Sequence, residues 1–241
     1  MSKDPSTIPS TIIDATWPAA ATQVAGGFLI REGQGGGSRV SCATLIAPFG
    51  DADITAAEAA HRALGQTPRF MIRPEDSALD AALEARGYIA YDPVFLWSAP
   101  IAQMQGEVPP VTAFAHWPPL QIARDLWSEL EVGPERQAIM DRVTGPKVCV
   151  LGRKQDRAAG VAFVAMHEGT AMLHALAVAP QFRRSGLARV MVHEGARWAL
   201  AQGASQFEML VTHANDASNA LAQSLGMTQR AGYHYRREGG K

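Results

Sequence analysis

Arg183, Arg184 and Arg189 stand around Gly186 in the stretch VAPQFRRSGLAR, where an apolar strand-like run gives way to a helical one. The chain's net charge is only -1, from 22 Lys and Arg against 23 Asp and Glu, so this excess is local. A strand ending at Val178 and a helix starting near Gly186 leave the backbone amides of Arg184 to Arg189 in an unsatisfied first turn. Free N–H groups at the positive end of a helix dipole suit phosphate oxygens, and a glycine lets the ligand approach the main chain. The arginines add charge-assisted hydrogen bonds, and the whole reads as a seat for a diphosphate. Two other phosphate patterns fail: there is no GxxxxGK[ST], and the cluster Gly33 to Gly37 precedes a β-type run rather than a helix.

The surrounding elements must position that turn. Gly27 to Ile46 reads as a hairpin around the glycine cluster, followed by helices at Thr55–Leu64 and Ser77–Arg86 and strands at Arg69–Ile72 and Tyr88–Trp97. Five prolines from Ser98 to Pro119 suggest a linker. A second unit then begins with helices at Gln121–Leu130 and Pro134–Val143. Strand-like runs follow at Lys147–Gly152, Ala158–Met166 and Ala171–Val178. In the helix from Gly186 to Gln202, Leu187, Val190, Met191, Gly195 and Trp198 form an apolar stripe, with Arg189, His193 and Arg197 turned away and Gly203 as the stop. Gln206–Thr212 reads as a strand, Asn215–Leu225 as a helix and Met227–Arg236 as the last strand. A shift of 139 places Gly87 on Gly226, Phe70–Ile72 on Met209–Val211 and Asp76 on Asn215, so the halves resemble each other. The first half has no counterpart of RRSGLA, which assigns the chemistry to the second.

The second half resembles the GNAT superfamily of acyl-CoA-dependent N-acyltransferases. That family's diphosphate loop reads Q/R-x-x-G-x-G/A after a strand ending V-x-P, matched here by Val178, Pro180, Arg183, Gly186 and Ala188. Its later helix pattern is met by Asn215, Ser218, Leu221, Leu225, Gly226 and Met227, and the similarity covers about Val111 to Glu238. The resemblance implies an α/β fold of two GNAT-like lobes, residues 1–105 and 106–241. Each lobe would be a mixed, mostly antiparallel sheet flanked by helices, and only the C-terminal one would carry the CoA loop. It implies acetyl-CoA as co-substrate and transfer of its acetyl group to an amine. Leu176, Ala177 and Val178 would pair with the pantetheine arm, and Arg183, Arg184, Ser185, Gly186, Leu187, Ala188 and Arg189 would hold the diphosphate. Asn215 and Ser218 would bond the arm, although Asn215 is also a helix N-cap. Arg184 and Arg189 either meet the 3'-phosphate or stay solvated.

A substrate amine with pKa near 10 must lose a proton before attack. His174, in HALAV, resembles the strand histidine that arylalkylamine acetyltransferases use as base, and an ordinary histidine is mostly neutral at pH 7. His213 is a weaker candidate and reads rather as a cap, and His116 as packing in the linker. The tyrosine that protonates the leaving thiolate in the family is replaced by Ala222; Ser218, Ser224 and Tyr233 are possible substitutes through a water. That departure keeps open a rival reading, an acyl-CoA sensor without turnover.

A pI near 6.7 argues against a nucleic-acid or membrane-surface binder. The opening MSKDPSTIPSTI has no leader pattern and no run of about 18 apolar residues exists, so a cytoplasmic protein is expected. Cys42 and Cys149 lack zinc-site spacing, so they read as reduced core residues and no metal is expected. The acceptor, a small molecule or peptide amine, is not named by these residues. The N-terminal lobe shapes its pocket or a homodimer contact.

Overall fold

The structure, a computed structural model, describes residues 10–239. Residues 1–9, where most of the leader reading falls, lie outside the described residues. Helix α1 (Ser10–Thr16) leads into strands β1 (Ala21–Ala25), β2 (Phe28–Glu32) and β3 (Ala43–Leu45). Then come α2 (Ile54–Ala63), β4 (Arg69–Ile72), α3 (Ser77–Ala85) and β5 (Tyr88–Pro100). The second half runs β6 (Ala113–His116), α4 (Gln121–Glu129), α5 (Pro134–Arg142), β7 (Lys147–Lys154), β8 (Arg157–His167) and β9 (Thr170–Val178). It ends with α6 (Leu187–Ala201), β10 (Gln206–Thr212), α7 (Asp216–Ser224) and β11 (Thr228–Glu238).

The strands form one sheet in the order β1-β2-β3-β4-β11-β5-β10-β9-β8-β7-β6. Only β3–β4 and β9–β10 pair parallel, each pair being joined by a helix as parallel neighbours require. The run β2-β3-α2-β4-α3-β5 therefore repeats as β8-β9-α6-β10-α7-β11. Gly87 and Gly226 take the same left-handed turn before the last strand, at φ of 82° and 73°. The expected two-lobed α/β architecture is present, with one feature that the sequence repeat does not reveal. The last strands are exchanged: β5 lies between β11 and β10, and β11 between β4 and β5.

The stretch Ser98–Pro119, expected as a linker, is more structured. Strand β5 runs on to Pro100 because Ser98, Ala99 and Pro100 pair with Glu208, Phe207 and Gln206. Strand β6 forms an edge inside the same stretch, pairing with β7 alone, and its short length explains why no period announces it. Strand β1, also an edge, shows an almost wholly exposed face to solvent and gives no apolar signal either.

Helix α6 lies close on the sheet because a Cβ at Gly195 would come within 2.9 Å of Val164. Its buried stripe differs from the expected one. Leu187, Met191 and Gly195 are buried as expected, but Val192, Ala196 and Ala199 join them while Val190 and Trp198 are only half-buried. His193 is not turned away: its Nδ1 lies 2.9 Å from the Met104 carbonyl oxygen, and the chain crossing between the halves meets it there. The helix packs on two fronts, which widens the buried face beyond a single stripe. Cys42 and Cys149 are free and buried, and burial pushes the Cys149 thiol up to about 12. Among the described residues no helix is long and apolar enough to cross a membrane.

Candidate active site

The parallel pairing of β9 with β10 runs from Thr170 to Leu173 and then stops. At Ala175 the backbone turns left-handed, with φ of 49°, and the β8–β9 register shifts between Val161 and Phe163. Trp127 on α4 secures the kink by donating its indole N–H to the Ala175 carbonyl at 2.9 Å. Beyond it, Ala177 and Val178 still pair with β8, but the other edge of β9 leaves β10. Leu176, Ala177 and Val178 are half-buried along this opening, so their main chain is available to an extended ligand.

The opening leads to the N-terminus of α6. Gly186 caps the helix at φ of 83° and no side chain covers the cap. The first helical bond runs from Val190 N–H to the Gly186 carbonyl, and no backbone N–H from Arg184 to Arg189 has a partner among the described residues. A Cβ at Gly186 would meet nothing in the protein, so space stands open there. The three arginines divide. Arg183 donates from Nε to the Val178 carbonyl at 3.0 Å, tying the loop to the strand end. Arg189 grips the Ser224 carbonyl at 3.1 Å and its hydroxyl at 2.8 Å, tying α6 to α7. Arg184, at φ of 57°, is exposed. Ser185 donates its hydroxyl to the Phe182 carbonyl, Leu187 is buried and Ala188 half-buried.

The equivalent helix of the first half is built otherwise. Asp53 caps α2, and its carboxylate accepts from Thr55 and Ala56 N–H at 2.9 and 3.1 Å. An anion supplied by the chain already occupies the first turn. Arg73 then bridges the mouth of β3 and β4, holding Asp76 at 2.8 Å and donating to the Leu45 carbonyl at 3.0 Å. Of these two helix starts, only that of α6 is left without a side-chain cap.

Asn215 caps α7, its Oδ1 accepting from the half-buried Ser218's N–H at 3.0 Å, so its amide nitrogen remains free. Asn219, which no motif singled out, does more to fix this corner. Its amide donates to the Thr212 and His213 carbonyls, and its oxygen accepts the Trp97 indole N–H at 2.9 Å across the exchanged strands. Ala222 is fully buried and carries no acid. His213 is exposed and stacks on Phe95 at 3.6 Å. His116 accepts the Leu120 N–H at 3.4 Å within its turn.

His174 lies one residue before the kink and is 5% exposed. The first half walls it in. Trp17 stacks on its ring at 4.8 Å, Nε2 lies 3.0 Å from the Thr16 hydroxyl and Nδ1 lies 3.3 Å from Arg39 Nη1. The Thr16 hydroxyl donates to Ile12, so it accepts from Nε2–H, and the Nδ1 lone pair faces the guanidinium, a pure donor. In this arrangement neither nitrogen is free to take a proton. Burial, then the charges of Arg39 and Arg136, hold His174 well below the ordinary histidine range, so it is neutral. The sequence offered no signal for Thr16, Trp17, Arg39 and Arg136, because only the fold brings them to β9.

A kinked, diverging parallel pair thus feeds an uncapped helix start. Residues 115–227 match the Acetyltransferase (GNAT) family profile, a family whose activity is acyl transfer from acyl-CoA. No curated protein matches the chain in sequence. Among solved structures it is similar to a GCN5-related N-acetyltransferase from Kribbella flavida, with a TM-score of 0.68 and 15% identity over 95% of this chain and 93% of that one. A functionally unknown conserved protein from Staphylococcus epidermidis gives 0.70 and 11% over 97% and 98%. A tandem GNAT protein from the clavulanic acid biosynthesis pathway gives 0.56 and 16% over 78% and 69%. At such identities these structures share the fold.

Proposed function

We propose that the chain transfers the acetyl group of acetyl-CoA to a primary amine, with residues 106–241 as the catalytic lobe and residues 1–105 as the wall of the acceptor pocket. The observation that carries this reading is the uncapped start of α6 beside the diverging edge of β9. The backbone from Arg184 to Arg189 would take the diphosphate, with Arg184 as its charged partner. Leu176 to Val178 and Asn215 would take the pantetheine arm, with Ser218 alongside. Arg183 and Arg189 act by holding the loop to β9 and to α7.

In the ternary complex the amine nitrogen bonds to the thioester carbonyl carbon, the carbon–sulfur bond breaks and the sulfur leaves as thiolate. A thiol of pKa about 8.5 leaves tolerably without an acid, which makes Ala222 compatible with turnover. The amine's proton goes to His174 Nδ1 once Arg39 yields that position. Calorimetry with acetyl-CoA, followed by thiol release over a panel of amines, tests the reading. Wild type should bind and turn over, and His174→Ala should lose about 10²- to 10⁴-fold in rate, the usual worth of a positioned base. A second reading, a sensor that binds acyl-CoA without turnover, draws on buried Ala222 and on the engaged nitrogens of His174. Binding without thiol release from any amine would select it.

A further inference from the structure

Arg39 and Arg136 flank the same pair of rings. Arg39 reaches His174 at 3.3 Å, and Arg136 on α5 stands over Trp17, which stacks on that same histidine, with its guanidinium carbon 6.0 Å from the ring centre. Neither arginine has a carboxylate partner among the described residues. Arg39 also donates from Nε to the Tyr233 hydroxyl at 3.3 Å and lies beside the Tyr235 hydroxyl, both tyrosines being buried. Elsewhere this chain compensates its inner arginines with acids: Arg31 forks onto Asp14 and Arg73 onto Asp76, and Arg236 donates from Nε to Asp80. Positive charge continues next door at Arg69, whose Nε is buried without a partner and whose Nη1 holds the Ser38 hydroxyl.

Two guanidiniums without a carboxylate beside the buried His174, Arg39 half-buried and Arg136 exposed, leave a positive charge that an anion can fill, and their planar forks match an oxyanion. We infer that the acceptor amine carries a carboxylate or a phosphate, held by Arg39 and Arg136 beside His174. This rests on the proposed acetyl transfer and adds the acceptor's charge. An anion on Arg39 also draws its guanidinium off Nδ1, so acceptor binding and exposure of the base become one event. A polycationic amine has no place here, since two fixed cations face it.

The experiment compares amines that differ only in the anion: an amino acid with its amide, phosphoethanolamine with ethanolamine, and spermidine as the cation. Each is measured for thiol release from acetyl-CoA and, by calorimetry in the presence of CoA, for binding. The anionic member of at least one pair should be favoured by about tenfold or more in both readouts, the worth of one charge-assisted contact. The pair that responds tells carboxylate from phosphate. Arg136→Gln, at an exposed position, and Arg39→Gln should each bring the ratio toward parity. Amides, ethanolamine or spermidine served as well as the anions in wild type overturns the inference, as does a preference intact in both variants. Acetyl-CoA uptake with neutral amines turned over as fast as their anionic counterparts would overturn this inference alone. No uptake at all would take the acetyl-transfer reading down with it.

Discussion

Asp53 and Gly186 hold the same place in the two halves, each at the N-cap of the helix that joins the two parallel strands, yet one fills its helix start with a carboxylate and the other leaves it bare. One coenzyme per chain follows, not two. Calorimetry should return a stoichiometry of one. Asp53→Ala should cost about 1 kcal/mol of stability in urea, as loss of an N-cap does, and leave coenzyme affinity as it was. A second binding event in the unmodified chain would contradict this.

The exchanged strands make the halves inseparable. Because β5 separates β11 from β10, removing residues 1–105 strips β10 of a neighbour and leaves β11 without either of its partners. The fragment 106–241 should therefore fail to give a cooperative thermal transition, while the whole chain unfolds in one step. Two resolved transitions in the whole chain, or a folded fragment, would count against that.

Asn219→Ala should remove the acceptor of the Trp97 indole and two ties to the β10–α7 turn. An unsatisfied buried donor costs about 1 to 3 kcal/mol. Denaturant titration reads the loss directly, and coenzyme affinity should weaken with it because the turn carries Asn215. A change within error would mean that the turn stands without this residue.

Two histidines tie stability to pH. His61 is fully buried, and burial first of all lowers it, as it does His174. The unfolded chain then binds protons more readily than the folded one below about pH 6.5, so stability is full above that value and falls as pH drops toward 5. Each group contributes up to about 1.4 kcal/mol per pH unit in that window, and His174→Gln should flatten the slope in part. Thermal melts that stay level between pH 7.5 and 5.5 would contradict the neutral, walled-in state of both rings.

What could be read from the residue order was local. The glycine turn that starts α6, the Asn215 cap and strands β4 and β10 follow from short motifs and alternation within one segment, and β10 occupies the expected residues. The rest is non-local. Nothing near Tyr88 or Thr228 says that these strands trade places, because each would alternate identically in its own lobe. Arg39 looks like a loop residue after a glycine cluster until the hairpin carries it to His174, a residue 135 positions away. Arg189 reads as meeting a phosphate or solvent, and only the fold brings Ser224 of α7, 35 positions on, within its reach.

The most direct measurement is acetyl-CoA titration by calorimetry of wild type against Gly186→Asp, which gives the second half the carboxylate that the first half already has. Saturable uptake at one per chain, weakened at least about tenfold in the variant while its melting temperature shifts only a few degrees, is the expected result. Equal affinity in the two proteins, or no uptake by wild type, would contradict the assignment of the α6 start as the diphosphate seat.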